Sequence, residues 1–130
     1  MKKLECDIAK FLKDRGWDDL RPSDLAKSIM IEGAELLEHF QWENKTAAEL
    51  KKDKKKLAEI AKELADVFIY CLQLSVHLGF DSEKIIRNKL AVASRKYPAR
   101  KMRRMKDESR PEYWQIKNEY RKEKTKKLPA

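Results

Sequence analysis

Glycine and proline are scarce in this 130-residue chain, with three and four copies. An all-β fold needs many tight turns, and so little turn material argues against one. Cysteine is scarcer still. Cys6 and Cys71 lack CxxC spacing, and Cys71 sits inside an apolar run. Structural thiols are therefore expected rather than metal or redox cysteines. Long hydrophobic runs are missing as well. The longest, Val67 to Leu72, is far too short to span a bilayer, and no signal-peptide pattern opens the chain. These absences predict a cytoplasmic protein with no membrane partner.

What is present is charge. Charged residues make up 41% of the chain and hydrophobic residues 42%, a balance that suits amphipathic helices. The length is that of one domain, enough to bury a core without staples. The net charge of +9 is uneven: residues 1–98 hold 19 Lys+Arg against 17 Asp+Glu, and residues 99–130 hold 12 against 5. Nucleic acid or another polyanion would bind such a tail, but a solvated helix face accounts for the same charge and is the preferred reading.

Five helices can be read, and no convincing strand. Leu4, Ile8, Phe11 and Leu12 form one apolar stripe over about Lys2–Arg15, and Gly16 is a natural stop. A second helix is expected from Ser23, as N-cap after Pro22, to about Trp42. Leu25, Ile29, Gly33, Leu36 and Phe40 share one arc of it. Glu32, Glu35, Glu38, His39 and Trp42 share the arc beside it. Phe40 and Trp17, in the connector before it, read as core. Thr46 to Glu49 is a capping box. The helix it opens is interrupted by the lysines of 51–56 and resumes over Leu57–Leu78. Its VFIYCLQL run is apolar on nearly every side, which predicts burial all round, by this chain or by a second subunit. Asp81 or Ser82 caps a fourth helix that runs to Tyr97, where Pro98 stops it. Ser109 to Glu112 is the start signal of a fifth, which carries Tyr113, Trp114, Ile116 and Tyr120.

Two acidic pairs stand out, Glu32-x-x-Glu35 and Glu63-x-x-Asp66. Spacing of i, i+3 puts both carboxylates of a pair on one helix face. Such pairs arise by chance in so charged a chain, and context is what singles these out. Glu63 and Asp66 lead straight into VFIYCLQL, and Glu32 and Glu35 border the apolar stripe of the second helix. Carboxylates there are costly unless paired or metal-bound. All-oxygen ligands select hard cations, Mg²⁺ or Mn²⁺. A redox di-iron centre wants Glu-x-x-His pairs, and neither His39 nor His77 lies three residues after a Glu.

IEGAELLEHFQW (31–42), ELADVFIYCLQL (63–74) and KLAVASRKYP (89–98), with the opening F-x-x-x-R-G-W-D (11–18), resemble the MazG-type all-α NTP pyrophosphatases, in the dCTP pyrophosphatase group. The likeness covers roughly residues 4–98. It implies an all-α four-helix bundle of that type, here with an additional C-terminal helix, and an assembly of dimers or of tetramers built from dimers. It implies that Glu32, Glu35, Glu63 and Asp66 hold Mg²⁺, that Mn²⁺ can substitute, and that one of them helps activate the attacking water. Glu38 continues the arc as a further ligand or orienting group. Lys89 and Lys96, two turns apart on one helix face, are expected to grip phosphates, with Arg95 and Tyr97 beside them. Trp42 is a candidate to stack on the base. The family usually carries Asn where this chain has Ala93, which puts one contact to substrate or metal in question.

The expected organisation is a catalytic helical domain over 1–98 and a basic helical extension over 99–130. The implied activity is hydrolysis of nucleoside triphosphates to monophosphate and pyrophosphate. Substrates are expected among dCTP-like or modified pyrimidine nucleotides, and the role is cleaning of the nucleotide pool. Two rivals are a catalytically weak interaction protein on the same scaffold and a nucleic-acid-binding protein acting through its tail.

Overall fold

The computed structural model describes residues 1–104 and 111–126, and every regular element among them is an α-helix. The chain falls into two compact units, residues 1–85 and residues 86–130. Composition had suggested a boundary near residue 98.

The first unit is built on α1 (Lys2–Lys13), α2 (Pro22–Glu38) and the long α4 (Lys54–His77), with one short turn, α3 (Ala47–Leu50), between α2 and α4. The apolar stripe of α1 closes on α4, where Ile8 and Leu12 form a buried cluster with Leu72. The broadest packing is α2 on α4. Leu25 of α2, only 1% exposed, is the deepest side chain among the described residues.

The helix ends follow from their residues. After α1 the Trp17 amide donates to the Leu12 carbonyl (3.0 Å) and the Gly16 amide to that of Lys13 (3.1 Å). After α4 the Phe80 amide donates to Ser75 (2.9 Å) and the Gly79 amide to Val76 (3.0 Å). Both are Schellman turns, and each needs a left-handed residue. Gly16 (φ 65°) and Gly79 (φ 69°) supply it at no steric cost. At the first turn Trp17 meets the Phe11 ring edge-on, centroids 6.1 Å apart. Pro22 rather than Ser23 opens α2, at a first-turn position where its missing N–H costs nothing. The Thr46–Glu49 capping box is present in full. Asp53 caps α4, accepting from the Lys56 amide at 3.0 Å. Asp81 caps α5 (Ser82–Lys96), accepting from the Lys84 amide at 2.9 Å. Ser82 has another task. Its amide donates to Glu5 (3.0 Å) and its buried hydroxyl to Ser75 (2.6 Å), tying the start of α5 to α1 and α4.

Two expectations are corrected, and a third is left to a second subunit. Helix α2 ends at Glu38, four residues short of Trp42, which stands in the following loop and is 87% exposed. Its last turn carries no basic residue, and Glu35 and Glu38 oppose the negative end of the helix dipole. Trp17 and Phe40, read as core, are exposed. The apolar run of α4 is not covered within the described chain. Leu72 is buried, but Phe68 (58%) and Ile69 (43%) face outward.

The second unit holds the remainder of α5, the short α6 (Ala99–Arg104) and α7 (Pro111–Lys126). Pro98 stops α5 as expected, and its carbonyl then accepts the first bond of α6, from the Met102 amide at 3.0 Å. Ser109, the expected cap of the tail helix, lies outside the described residues. Among the described residues, no single helix is long and apolar enough to cross a membrane.

Candidate active site

Helix geometry presents one face of α2 to one face of α4, and acidic side chains stand on both. Carboxylate oxygens of Glu32, Glu63 and Asp66 all lie within 4.8 Å of one another. Glu63 and Asp66 are one turn apart on α4, so a single helix face delivers both. Glu32 comes across from α2, about two turns before that helix ends. Among the described residues this is the one group of three or more acidic, His or Cys side chains close enough to share an ion.

The electrostatics report the crowding. Partial burial pushes the Glu32 carboxyl above its ordinary 4.5, and the negative charges of Glu35, Asp66 and Glu63 push it further the same way. Glu35 thus stands outside the triad but close enough to be felt by it. A half-buried carboxylate beside three others gains nothing from the neighbourhood unless a cation is shared.

The donor set fits a hard divalent cation. It offers oxygen alone, with no thiolate or imidazole, the chemistry that Mg²⁺ and Mn²⁺ prefer. Three carboxylate oxygens within 4.8 Å of one another are close enough to share one such ion. Glu32 and Glu63 are half-buried, which leaves one side of the triad open to water and ligand.

Glu38 is the last residue of α2 and is exposed. Trp42 lines a small polar hollow of the 40–45 loop with Phe40 and Lys45. Lys89 and Arg95 are exposed on α5, and Tyr97 follows its end, half-buried. Lys96 lies against two aromatic faces, its Nζ 5.0 Å from the Tyr97 ring centroid and 4.2 Å from that of Tyr120. Sequence reasoning gave Tyr120 only a place on the tail helix. It also missed an apolar groove of about 710 Å³ between α1, the connector and α4, lined by Leu4, Phe11, Trp17, Phe68 and Ile69 and reaching Asp66. The signal for that groove was present in the apolar run of α4, which had more nonpolar faces than one neighbouring helix could cover.

Comparison with known proteins agrees with this architecture. The family model described as the MazG-like family matches residues 27–110, a span that contains all three clustered carboxylates. The chain belongs to the MazG-like family. It is 32% identical over 95 residues to human dCTP pyrophosphatase 1, covering 70% of this chain and 55% of that protein. With the mouse protein of the same name the identity is 29% over 92 residues, covering 69% and 54%. The chain thus spans about half the length of the curated relatives it matches. Among solved structures, the crystal structure of a pyrophosphatase from Archaeoglobus fulgidus superposes with a TM-score of 0.65 at 37% identity, covering 75% of this chain and 92% of that one. The all-α fold is shared with that pyrophosphatase.

Proposed function

We propose that this protein is a divalent-metal-dependent nucleoside triphosphate pyrophosphohydrolase, converting a (d)NTP and water to (d)NMP and pyrophosphate. The observation that carries the reading is the convergence of Glu32, Glu63 and Asp66 from two packed helices of a MazG-like chain. The pyrophosphatase names of its relatives support the reaction, and the dCTP pyrophosphatases support a dCTP-like or modified pyrimidine nucleotide as substrate. Clearing such nucleotides from the pool is the corresponding role, and the two free thiols suit the reducing cytoplasm.

In this reading Glu32, Glu63 and Asp66 hold Mg²⁺, or Mn²⁺ in its place, and Glu35 joins them as the fourth carboxylate. Bound there, the metal would neutralise phosphate charge and lower the pKa of its water. The protein's own groups do the rest. One of the carboxylates would accept a proton from the attacking water as the new oxygen bond to the α-phosphorus forms and the bond to the bridging oxygen breaks, releasing pyrophosphate. Glu38 orients the acidic arc from its end. Lys89 and Lys96, with Arg95 and Tyr97, hold the phosphate chain, lysine acting as a point charge and arginine as a fork. Trp42 stacks on the base, a contact any base can make.

A homodimer, alone or doubled to a tetramer, is part of the same proposal. Only Ile8, Leu12, Leu25 and Leu72 are buried apolar residues among those described, while the α1–α4 groove leaves Phe68 and Ile69 outside. An apolar opening of that size is normally covered by a partner.

The test is pyrophosphate release from a panel of canonical and modified dNTPs, with and without chelator. Release that requires Mg²⁺ and stops in Glu63→Gln supports the enzyme. No release from any nucleotide by a folded, metal-loaded protein removes it. Affinity for DNA or RNA that survives chelation and falls steeply with salt would instead favour the basic tail as the working part.

A further inference from the structure

Lys96 was expected to grip phosphate from the same face of α5 as Lys89. Its ammonium lies over two tyrosine rings, at 5.0 Å from Tyr97 and 4.2 Å from Tyr120. Both distances are inside the roughly 6 Å over which a ring face attracts a cation. Tyr97 is the next residue in the chain, so its contact is local. Tyr120 comes from α7, far along the sequence, and is half-buried there while its neighbours Glu119 and Arg121 are exposed. The tail helix therefore turns an aromatic face toward one particular lysine.

We propose that Tyr120 is a positioning residue for Lys96, and that α7 thereby forms part of the phosphate grip of the enzyme. The inference rests on the reading of Lys96 as a phosphate-binding group. A lysine carries a flexible four-carbon stem, and an unrestrained ammonium loses much rotamer freedom when it engages an anion. Ring faces restrain it differently from a carboxylate. They hold the ammonium near one position, leave its charge intact, and occupy only part of its donor sphere. N–H groups pointing away from the rings stay available for phosphate oxygens. A carboxylate partner would have neutralised the charge the phosphate needs. Lys89 and Arg95 are exposed on the same helix, whereas the Lys96 ammonium is held in place before any phosphate arrives. The positive tail gains a role that its charge alone did not suggest: it supplies an aromatic brace, and its own lysines need not touch the substrate.

The test is a double-mutant cycle in the full-length protein, read as kcat and KM for pyrophosphate release, with thermal melts to confirm folding. Tyr120→Leu keeps apolar bulk and loses the π-face. It is expected to lower kcat/KM by about two- to five-fold, the size of one cation–π contact. Tyr120→Phe keeps the face, loses only the hydroxyl, and is expected to restore most of that loss. In a Lys96→Ala background, Tyr120→Leu should change nothing further. Suppose Lys96→Ala is damaging and Tyr120→Leu is silent, or equally damaging with and without Lys96. Then the brace is wrong and the phosphate role of Lys96 stands. If Lys96→Ala itself turns over as the parent does, the phosphate role falls and the brace falls with it.

Discussion

Helix α4 carries two surfaces that meet at Asp66, and they fall short in opposite ways. The turn Glu63–Asp66 faces α2 and is only partly covered, and it gathers more negative charge than the protein around it neutralises. The run that follows, with Phe68 and Ile69, is neutral and apolar but lacks cover. One surface calls for a cation and the other for apolar partner atoms. On the proposed reading the contrast assigns the two surfaces different ligands: metal with nucleotide on the first, a second copy of the chain on the second. Asp66 borders both, since it belongs to the carboxylate group and also lines the apolar groove.

The largest expected effect breaks the charged surface. Glu63→Gln and Asp66→Asn each remove a charged ligand oxygen, and turnover is expected to fall by more than about 100-fold while the helical circular dichroism spectrum is retained. Glu49→Gln, in the capping box of α3, is the matched control and should leave turnover near the parent value. The apolar surface is broken by Phe68→Asp. A buried Phe contributes about 1.5–3 kcal/mol, so the loss at two symmetric positions should shift the protein toward monomer on size-exclusion chromatography with light scattering. A parent that is monomeric at every concentration would remove the contrast altogether. Trp42→Ala is expected to raise KM by about five-fold or more, with less effect on kcat, because base stacking contributes about 1–3 kcal/mol.

Much of the charged surface was legible in the sequence, and the apolar one only half so. The i, i+3 spacing fixed which carboxylates share a helix face, and the family resemblance implied that the two faces meet. The first is a local consequence of 3.6 residues per turn. The VFIYCLQL run announced that α4 wanted cover on every side, but hydrophobic periodicity cannot say which chain supplies it. The end of α2 was misjudged because its apolar pattern continues to Phe40 while its last turn collects acidic residues against the dipole. Pattern and electrostatics disagreed there, and electrostatics ended the helix. Tyr120 beside Lys96 could not be read at all, since nothing in a sequence pairs two residues so far apart without a fold. Gly16 and Gly79 were the reverse case, because a Schellman turn is written into one residue type at one position.

A smaller effect sharpens the charged side through pH. The Glu32 carboxyl sits above its ordinary 4.5 in the folded chain. Well below that value it is protonated whether the chain is folded or not, and the crowding costs nothing. As pH rises through the folded value, the native state acquires a charge that the unfolded state carries more easily, so this group's contribution to metal-free stability falls. Glu32→Gln has no such proton. The gap in Tm between Glu32→Gln and the parent, both with chelator, should therefore widen in favour of the variant between about pH 4 and pH 7. A constant gap would mean that Glu32 does not feel its neighbours.

The most direct test is the same pair of proteins melted at neutral pH with increasing Mg²⁺. Ligand that binds the folded state raises Tm by mass action. If Glu32, Glu63 and Asp66 hold the cation, the parent begins lower in chelator and climbs with Mg²⁺, whereas Glu32→Gln begins higher and climbs much less. Equal gains in the two proteins, or a parent whose Tm ignores Mg²⁺ and Mn²⁺ alike, would contradict the account.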